Sequence, residues 1–337
     1  MDIWLHVGFG KTGTSAVQVA LARGRERLAE CGLFYPPSLE RKHDDRSVGG
    51  GITSGNAIAI GHLMCPGQRP GDFDATAAWS WLERVLAEAG ERTLLLSSET
   101  MVWATAANAG PVLDLLRRRG RRVRVLCHVR HALEWTVARY AQRLKNPANA
   151  MPDDLETLLA NTTVPFEWKL KAWAAVVGRD AITCRLYDED REALVTRILE
   201  VVHPPAAALG PELAASTPLV NRSPTPTELR LLRRLRLEAD AEDLCRVFRH
   251  RVLNTPAAVA EEFVVPEAVF AAFQARNQPI LDAVNRTWLL PAGRRPVQAS
   301  AGRIRIGDTG GVDAARSEAI LAACFINAVR RPPAGRC

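Results

Sequence analysis

The stretch that most constrains the fold is "LHVGFGKTGTSAVQ", residues 5–18, where a short apolar run meets a glycine turn and then a helical pattern. The run at about residues 3–8 reads as a strand. Val17, Val19, Ala20, Leu21 and Leu28 place a helix over about residues 14–30. Strand, glycine turn and helix in that order are the setting of a phosphate-binding loop. Glycines let the backbone close around an anion, while the N–H groups and dipole of the following helix attract it. Gly10, Lys11, Thr12, Gly13, Thr14 and Ser15 supply the turn, one cation and three hydroxyls. A Walker A loop would also need glycine five positions before Gly10, and residue 5 is leucine.

Lys11 is an unusual choice here, because five lysines stand against 39 arginines. The net charge of +7 favours an anionic partner. The densest basic run, Arg117, Arg118, Arg119, Arg121, Arg122 and Arg124, has no interleaved aromatics and follows a predicted helix. It reads as a solvated helix end rather than a nucleic-acid patch.

Further along, a polar, Gly- and Pro-rich stretch at 33–56 reads as a long loop, flexible at residues 49–51. A helix at about 74–89, the strand "RTLLLSSE", a helix at about 108–120, the strand "RVRVLCHV" and a helix over 132–145 follow. Residues 153–178 read as helix, "AITCRLY" as a fourth strand, nearly everything after Asp190 as helix, and 298–311 as a loop. Alternating strands and helices imply an α/β fold with a central parallel sheet and right-handed crossovers, followed by a largely helical C-terminal portion. The expected division is an α/β domain over 1–290, helical from about 190, and a C-terminal loop and helix with a frayed tail over 291–337.

Seven scattered cysteines, none in a C-x-x-C pair, argue against a disulfide framework and a zinc site. No apolar run approaches the roughly 18 residues of a membrane span, and no signal peptide is read, so the expectation is a cytoplasmic protein. Oligomeric state is not legible.

In a parallel sheet ligands sit at the carboxyl ends of strands. Two more stretches fall at such ends: "LLLSSET", which places Glu99, and "VLCHVRHALEWTVARYAQRLK", which places Arg130 and, on the next helix, Thr136. Glu99 reads as either a helix-start partner or a functional acid. His43 and His62, flanking the flexible stretch, are alternative bases, whereas His6 and His128 read as core residues.

Taken together, "GFGKTGTS", "LLLSSET", "VLCHVRHALEWTVARY", "LKAWAAVVGRDAITCRLYDED" and "NRSPTPTELRLLRRL" resemble bacterial sulfotransferases that use 3′-phosphoadenosine 5′-phosphosulfate (PAPS), over roughly residues 1–290. The resemblance implies a P-loop-like three-layer sandwich and transfer of a sulfuryl group from PAPS to an acceptor hydroxyl, often on a carbohydrate. It implies that residues 10–15 hold the 5′-phosphosulfate, that Arg130 binds the 3′-phosphate and that Tyr187 lies near the adenine. The family's serine eight residues after the arginine is Ala138 here, with Thr136 or Arg139 as substitutes. Lys11 would neutralise the leaving oxygen, and Glu99, His43 or His62 would take the acceptor proton. Protein cations supply the charge that Mg²⁺ supplies in phosphoryl transfer, so the reading includes no metal. Two other readings stand beside it: a P-loop-type kinase using ATP and Mg²⁺, for which no strand ends in a clear Asp, and a non-catalytic nucleotide-binding protein on the same fold.

Overall fold

The structure is a computed structural model describing residues 2–307, apart from 50, 52, 119–120, 147–149, 218–222, 238–240, 249–251 and 254–260. Two compact units share the chain. The first comprises Met1–His131, Pro165–Val220 and Ile280–Val297, and the second Ala132–Val164, Asn221–Pro279 and Gln298–Cys337.

The first unit is built on a five-stranded, wholly parallel sheet of β1 (Asp2–Val7), β2 (Leu33–Phe34), β3 (Thr93–Ser98), β4 (Arg122–Val129) and β5 (Ile182–Leu186). Its order is β2-β3-β1-β4-β5. Central β1 is buried from Ile3 to Val7, and Leu5 registers with Leu96 on one side and Val125 on the other. A strand covered on both faces reads as a continuous apolar run rather than an alternation, and "IWLHV" has that character. Because β1 lies between β3 and β4, the loops leaving β1, β3 and β4 emerge side by side at one end of the sheet, where the strand order reverses.

Helices of this unit include α1 (Thr14–Arg23), α2 (Arg25–Glu30), α3 (Arg41–Val48), α4 (Ile58–Met64), α5 (Ala75–Ala89) and α6 (Ala106–Arg117). Asp74 caps α5 by accepting from the Ala77 N–H at 2.9 Å. α1 contributes Val17, Ala20 and Leu21 to a core with Trp4, Leu28, Tyr35, Leu126, Ile198 and Leu199.

The polar stretch at 33–56 differs from its expectation: it carries β2 and α3. Arg25 clamps Asp44 of α3 through two hydrogen bonds, at 2.6 and 3.1 Å, and Asp44 also accepts from the Ser38 N–H. A tertiary ion pair of this kind leaves no local periodic trace. Residue 50 of the expected flexible stretch lies outside the described residues. The helix expected over 14–30 breaks at Gly24, whose N–H closes α1 on the Ala20 carbonyl.

The span 153–178 is two helices, α8 (Leu155–Asn161) and α9 (Phe166–Val177), since α7 (Ala132–Lys145) comes before them. Pro165 disfavours helical backbone in the residue before it, so the helix cannot run through. β5 leads into the short α10 (Tyr187–Asp190), then α11 (Leu194–Val202) and α12 (Gly210–Ala215).

The second unit is mainly helical, with α7, α8, α13 (Pro226–Leu235), α14 (Ala241–Phe248) and most of α15 (Glu267–Val284). Its core joins Tyr140 and Leu144 of α7 to Leu229 and Leu232 of α13, with Phe248, Val252 and Leu253. Thr225 and Glu228 cap α13 reciprocally. The segments expected as helix and loop here also hold a short parallel pair, β6 (Val264–Val265) and β7 (Arg305–Ile306). The alternation "RIRI" over 303–306 fits a strand, masked in the sequence by its glycine and serine flanks. Asn221 and Arg222 of "NRSPTPTELRLLRRL", Arg119 of the basic run, Cys324, Cys337 and the expected C-terminal helix and frayed tail lie outside the described residues.

Four of the remaining arginines of the basic run have partners within the first unit. Arg117 donates to the Val176 carbonyl and Arg121 to the Leu86 carbonyl, while Arg122 and Arg124 both pair with Asp2. Among the described residues no helix is long and apolar enough to cross a membrane.

Candidate functional site

The loop after β1 turns through residues in the left-handed region: Gly10 at φ 64°, Lys11 at φ 59° and Gly13 at φ 73°. Lys11 alone among the described non-glycine residues has positive φ, which costs a side-chain-bearing residue roughly 1–2 kcal/mol. Backbone strain of this kind concentrates at binding loops. Two glycines are required by close approach. A Cβ on Gly8 would lie 2.9 Å from Thr14 Oγ1 and 3.1 Å from Glu99 Cγ. One on Gly13 would lie 2.5 Å from Leu194 and 3.1 Å from the Tyr187 ring.

Gly13 precedes α1 with no side-chain cap, and the first turn of α1 carries no acidic residue. Its leading N–H groups have no intrahelical partners, and nothing nearby on the helix opposes a negative charge. Thr12 and Thr14 are buried, with their hydroxyls 3.4 Å apart.

Glu99 follows β3, beside the loop: its Oε2 lies 3.6 Å from where a Gly10 Cβ would project. Its side chain does not cap the short turn Thr100–Trp103, a task taken by Ser98 Oγ, which accepts from the Thr100 N–H. Burial raises the Glu99 pKa above the ordinary carboxylate range, and the nearby Lys11 charge opposes that rise. A carboxylate with such a pKa is a stronger base than one in water.

Arg130 follows β4. Its Nη1 donates to the Lys11 carbonyl at 3.1 Å and its guanidinium lies 5.3 Å from the Tyr187 ring centroid, while its buried Nε has no hydrogen-bond partner among the described residues. A buried guanidinium N–H without an acceptor is costly in a finished structure and is the geometry that an anionic ligand satisfies. Tyr187 thus touches both the loop at Gly13 and Arg130.

Under the loop lies a buried polar layer. His6 Nδ1 is 2.9 Å from Ser97 Oγ, which also accepts from Gln18, and Asn56 Oδ1 accepts the Ser97 N–H. Burial, then the neighbouring His128, pushes the His6 pKa down to about 3, so the ring is neutral. His128 faces Asp190 at 3.2 Å, and Arg185 grips the same carboxylate through two hydrogen bonds. Burial would raise the Asp190 pKa, but Arg185 and His128 hold it well below the usual carboxylate range. Asp188 accepts the His131 N–H at 3.2 Å, securing the backbone just after Arg130. This layer shapes β1, β3, β4 and β5 where they deliver Lys11, Glu99, Arg130 and Tyr187.

The other sequence-derived residues have different surroundings. His43 of α3 lies 3.4 Å from Glu40, and the His62 ring packs tilted against Phe73, centroids 5.3 Å apart. Burial lowers the His62 pKa. Thr136 belongs to the second unit and donates its hydroxyl to the Ala132 carbonyl of its own helix, while Arg139 lies over the Trp135 ring. Ser15, half-buried, opens the exposed side of α1.

Sequence reasoning passed over a further group. Phe166, at the start of α9, packs edge-on against Phe9 of the loop, centroids 5.2 Å apart. One turn later the Lys169 ammonium lies against two indoles, 4.0 Å from the Trp103 centroid and 3.9 Å from that of Trp168. The scarcity of lysine that marks Lys11 marks Lys169 equally.

No family model and no curated protein matches this chain. Among solved structures the chain is similar to a crystal structure of a sulfotransferase from Alicyclobacillus acidocaldarius. The two share 14% identity over 73% of this chain and 99% of that one, with a TM-score of 0.36.

Proposed function

We propose that the chain transfers a sulfuryl group from PAPS to a hydroxyl of a carbohydrate acceptor. The observation that carries this reading is the partnerless buried Nε of Arg130, on a guanidinium already anchored to the Lys11 carbonyl of a glycine-lined loop. That loop opens a helix whose first turn is free of acidic side chains. A nucleotide with phosphate groups at both its 5′ and 3′ positions fits this pair of anion sites.

Sulfuryl transfer runs in line between two oxygens, so catalysis is positioning plus fixed positive charge where negative charge develops. N–H groups of residues 10–15 with the hydroxyls of Thr14 and Ser15 hold the 5′-phosphate. Lys11 neutralises the bridging oxygen as its bond to sulfur breaks. Arg130 holds the 3′-phosphate through Nε, and Tyr187 packs beside the nucleoside. Glu99 accepts the acceptor's hydroxyl proton as the new oxygen–sulfur bond forms, a role favoured over His43 and His62 by its place beside Lys11.

Calorimetry tests the donor. 3′-Phosphoadenosine 5′-phosphate should bind the full chain without Mg²⁺, and ATP with Mg²⁺ should bind far more weakly. Tight, Mg²⁺-dependent ATP binding without affinity for the bisphosphate would replace this reading with a kinase.

A further inference from the structure

Lys169 is 2% exposed, yet the indoles that flank it are 41% exposed at Trp103 and 52% at Trp168. This inverts the usual arrangement, in which a lysine stem lies along apolar surface and its ammonium reaches water. Among the described residues no carboxylate pairs with Lys169; its charge faces two π systems, with Cys65 nearby. The result is a pair of aromatic rings fixed from behind by a buried cation and left open in front.

The placement ties this pair to the loop. Trp103 ends the short turn that begins one residue after Glu99, and Lys169 and Trp168 stand within one turn of Phe166, which packs on Phe9. Two large open indoles on a folded surface mark a binding face rather than core. Their half-exposure selects among ring-bearing alcohols. A phenol gains most from an enclosed apolar slot, whereas a sugar presents its C–H face to an indole and keeps its hydroxyls in water.

We infer that Trp103 and Trp168, held in orientation by Lys169, form a stacking platform for the sugar rings of a saccharide acceptor and present one hydroxyl toward Glu99. This rests on the sulfuryl-transfer reading for its chemistry, but the platform itself can be tested without donor. Trp103 and Trp168 are contact residues, and Lys169 is a positioning residue.

The test uses the full chain with cellohexaose, chitohexaose and 2-naphthol as probes in saturation-transfer NMR and calorimetry, on wild type, Trp103→Ala, Trp168→Ala, Trp168→Tyr and Lys169→Met. At least one oligosaccharide should bind wild type, with each alanine variant weakening it roughly 3- to 10-fold, the range of one aromatic contact. Trp168→Tyr should restore most of the loss. Lys169→Met should weaken the sugar while leaving the bisphosphate affinity unchanged, a split that general loss of fold would not produce. Binding of neither sugar, binding of 2-naphthol alone, or sugar binding unaffected by both alanine variants would each overturn the platform. Failure of wild type to bind the bisphosphate would instead overturn the donor reading, so the two failures are distinguishable.

Discussion

The surroundings of Lys11 and Lys169 set two solutions to placing a lysine side by side, in a chain that draws most of its positive charge from arginine. Lys11 sits on strained, left-handed backbone at a strand end, and its charge acts on the buried carboxyl of Glu99. Lys169 sits on regular helix, and its charge is set against neutral rings; burial brings its pKa down to about 8, opposed by Cys65. In the first region the backbone bears the cost and the charge is aimed at chemistry. In the second the charge bears the cost and two aromatic faces gain a fixed orientation. An arginine would blur both, since its planar fork spreads the charge that each lysine concentrates.

Breaking the first region should have the larger effect. Lys11→Ala should leave the fold intact by circular dichroism and reduce turnover by at least about 10²- to 10³-fold, the scale of removing one fixed charge-stabilising donor. Turnover at the wild-type rate would remove Lys11 from the chemistry and erase the contrast between the two lysines. Glu99→Gln should slow the chemical step about 10²-fold or more, with bisphosphate affinity unchanged. In wild type the rate should fall as acid protonates Glu99, at a pH above the ordinary carboxylate range because burial raises its pKa. A glutamine variant that keeps that acidic limb would shift the role of base to His43 or His62.

What was legible in the sequence follows the range of the forces involved. β3, β4, α5 and α7 follow from runs, periodicity and caps within one segment, and α7 spans the predicted 132–145. The gathering of Lys11, Glu99, Arg130 and Tyr187 was foreshadowed because strand ends in a parallel sheet share one edge. α3 was hidden because Arg25, sixteen residues upstream of its start, fixes it through Asp44. Lys169 was passed over because its partner Trp103 is 66 positions away in the chain, and no local pattern joins them. For Thr136 the sequence could not show that its hydroxyl is spent on its own helix at Ala132.

Arg130→Ala bears on the loop region through binding rather than rate. A charge-assisted hydrogen bond is worth about 1.5–3 kcal/mol, so affinity for 3′-phosphoadenosine 5′-phosphate should drop roughly 10- to 100-fold. Removal of the Nη1 bond to the Lys11 carbonyl should also loosen the loop. Comparison with adenosine 5′-phosphate separates the two effects. If the variant loses affinity equally for both nucleotides, Arg130 holds the loop; if it loses the bisphosphate selectively, Arg130 reads the 3′-phosphate.

The smallest effect, and the one that isolates the second region, is on stability against pH. The folded-state pKa of Lys169 is lowered from 10.5 to about 8, so between those values the unfolded chain holds a proton that the folded chain has released. Stability therefore rises with pH across that window, and below about pH 8 the full cost of the buried charge remains. Cys65 acts oppositely at higher pH: burial raises its thiol from 9.0 to about 11, so its contribution falls as pH passes through that range. Subtracting the urea-unfolding curves of Lys169→Met from those of wild type cancels the background common to both, leaving Lys169 and its mutual effect with Cys65. The difference should climb in favour of wild type from about pH 8 to 10.5. A flat difference would mean that the ammonium against the indoles keeps its solution pKa, and the contrast with Lys11 would then lie in backbone alone.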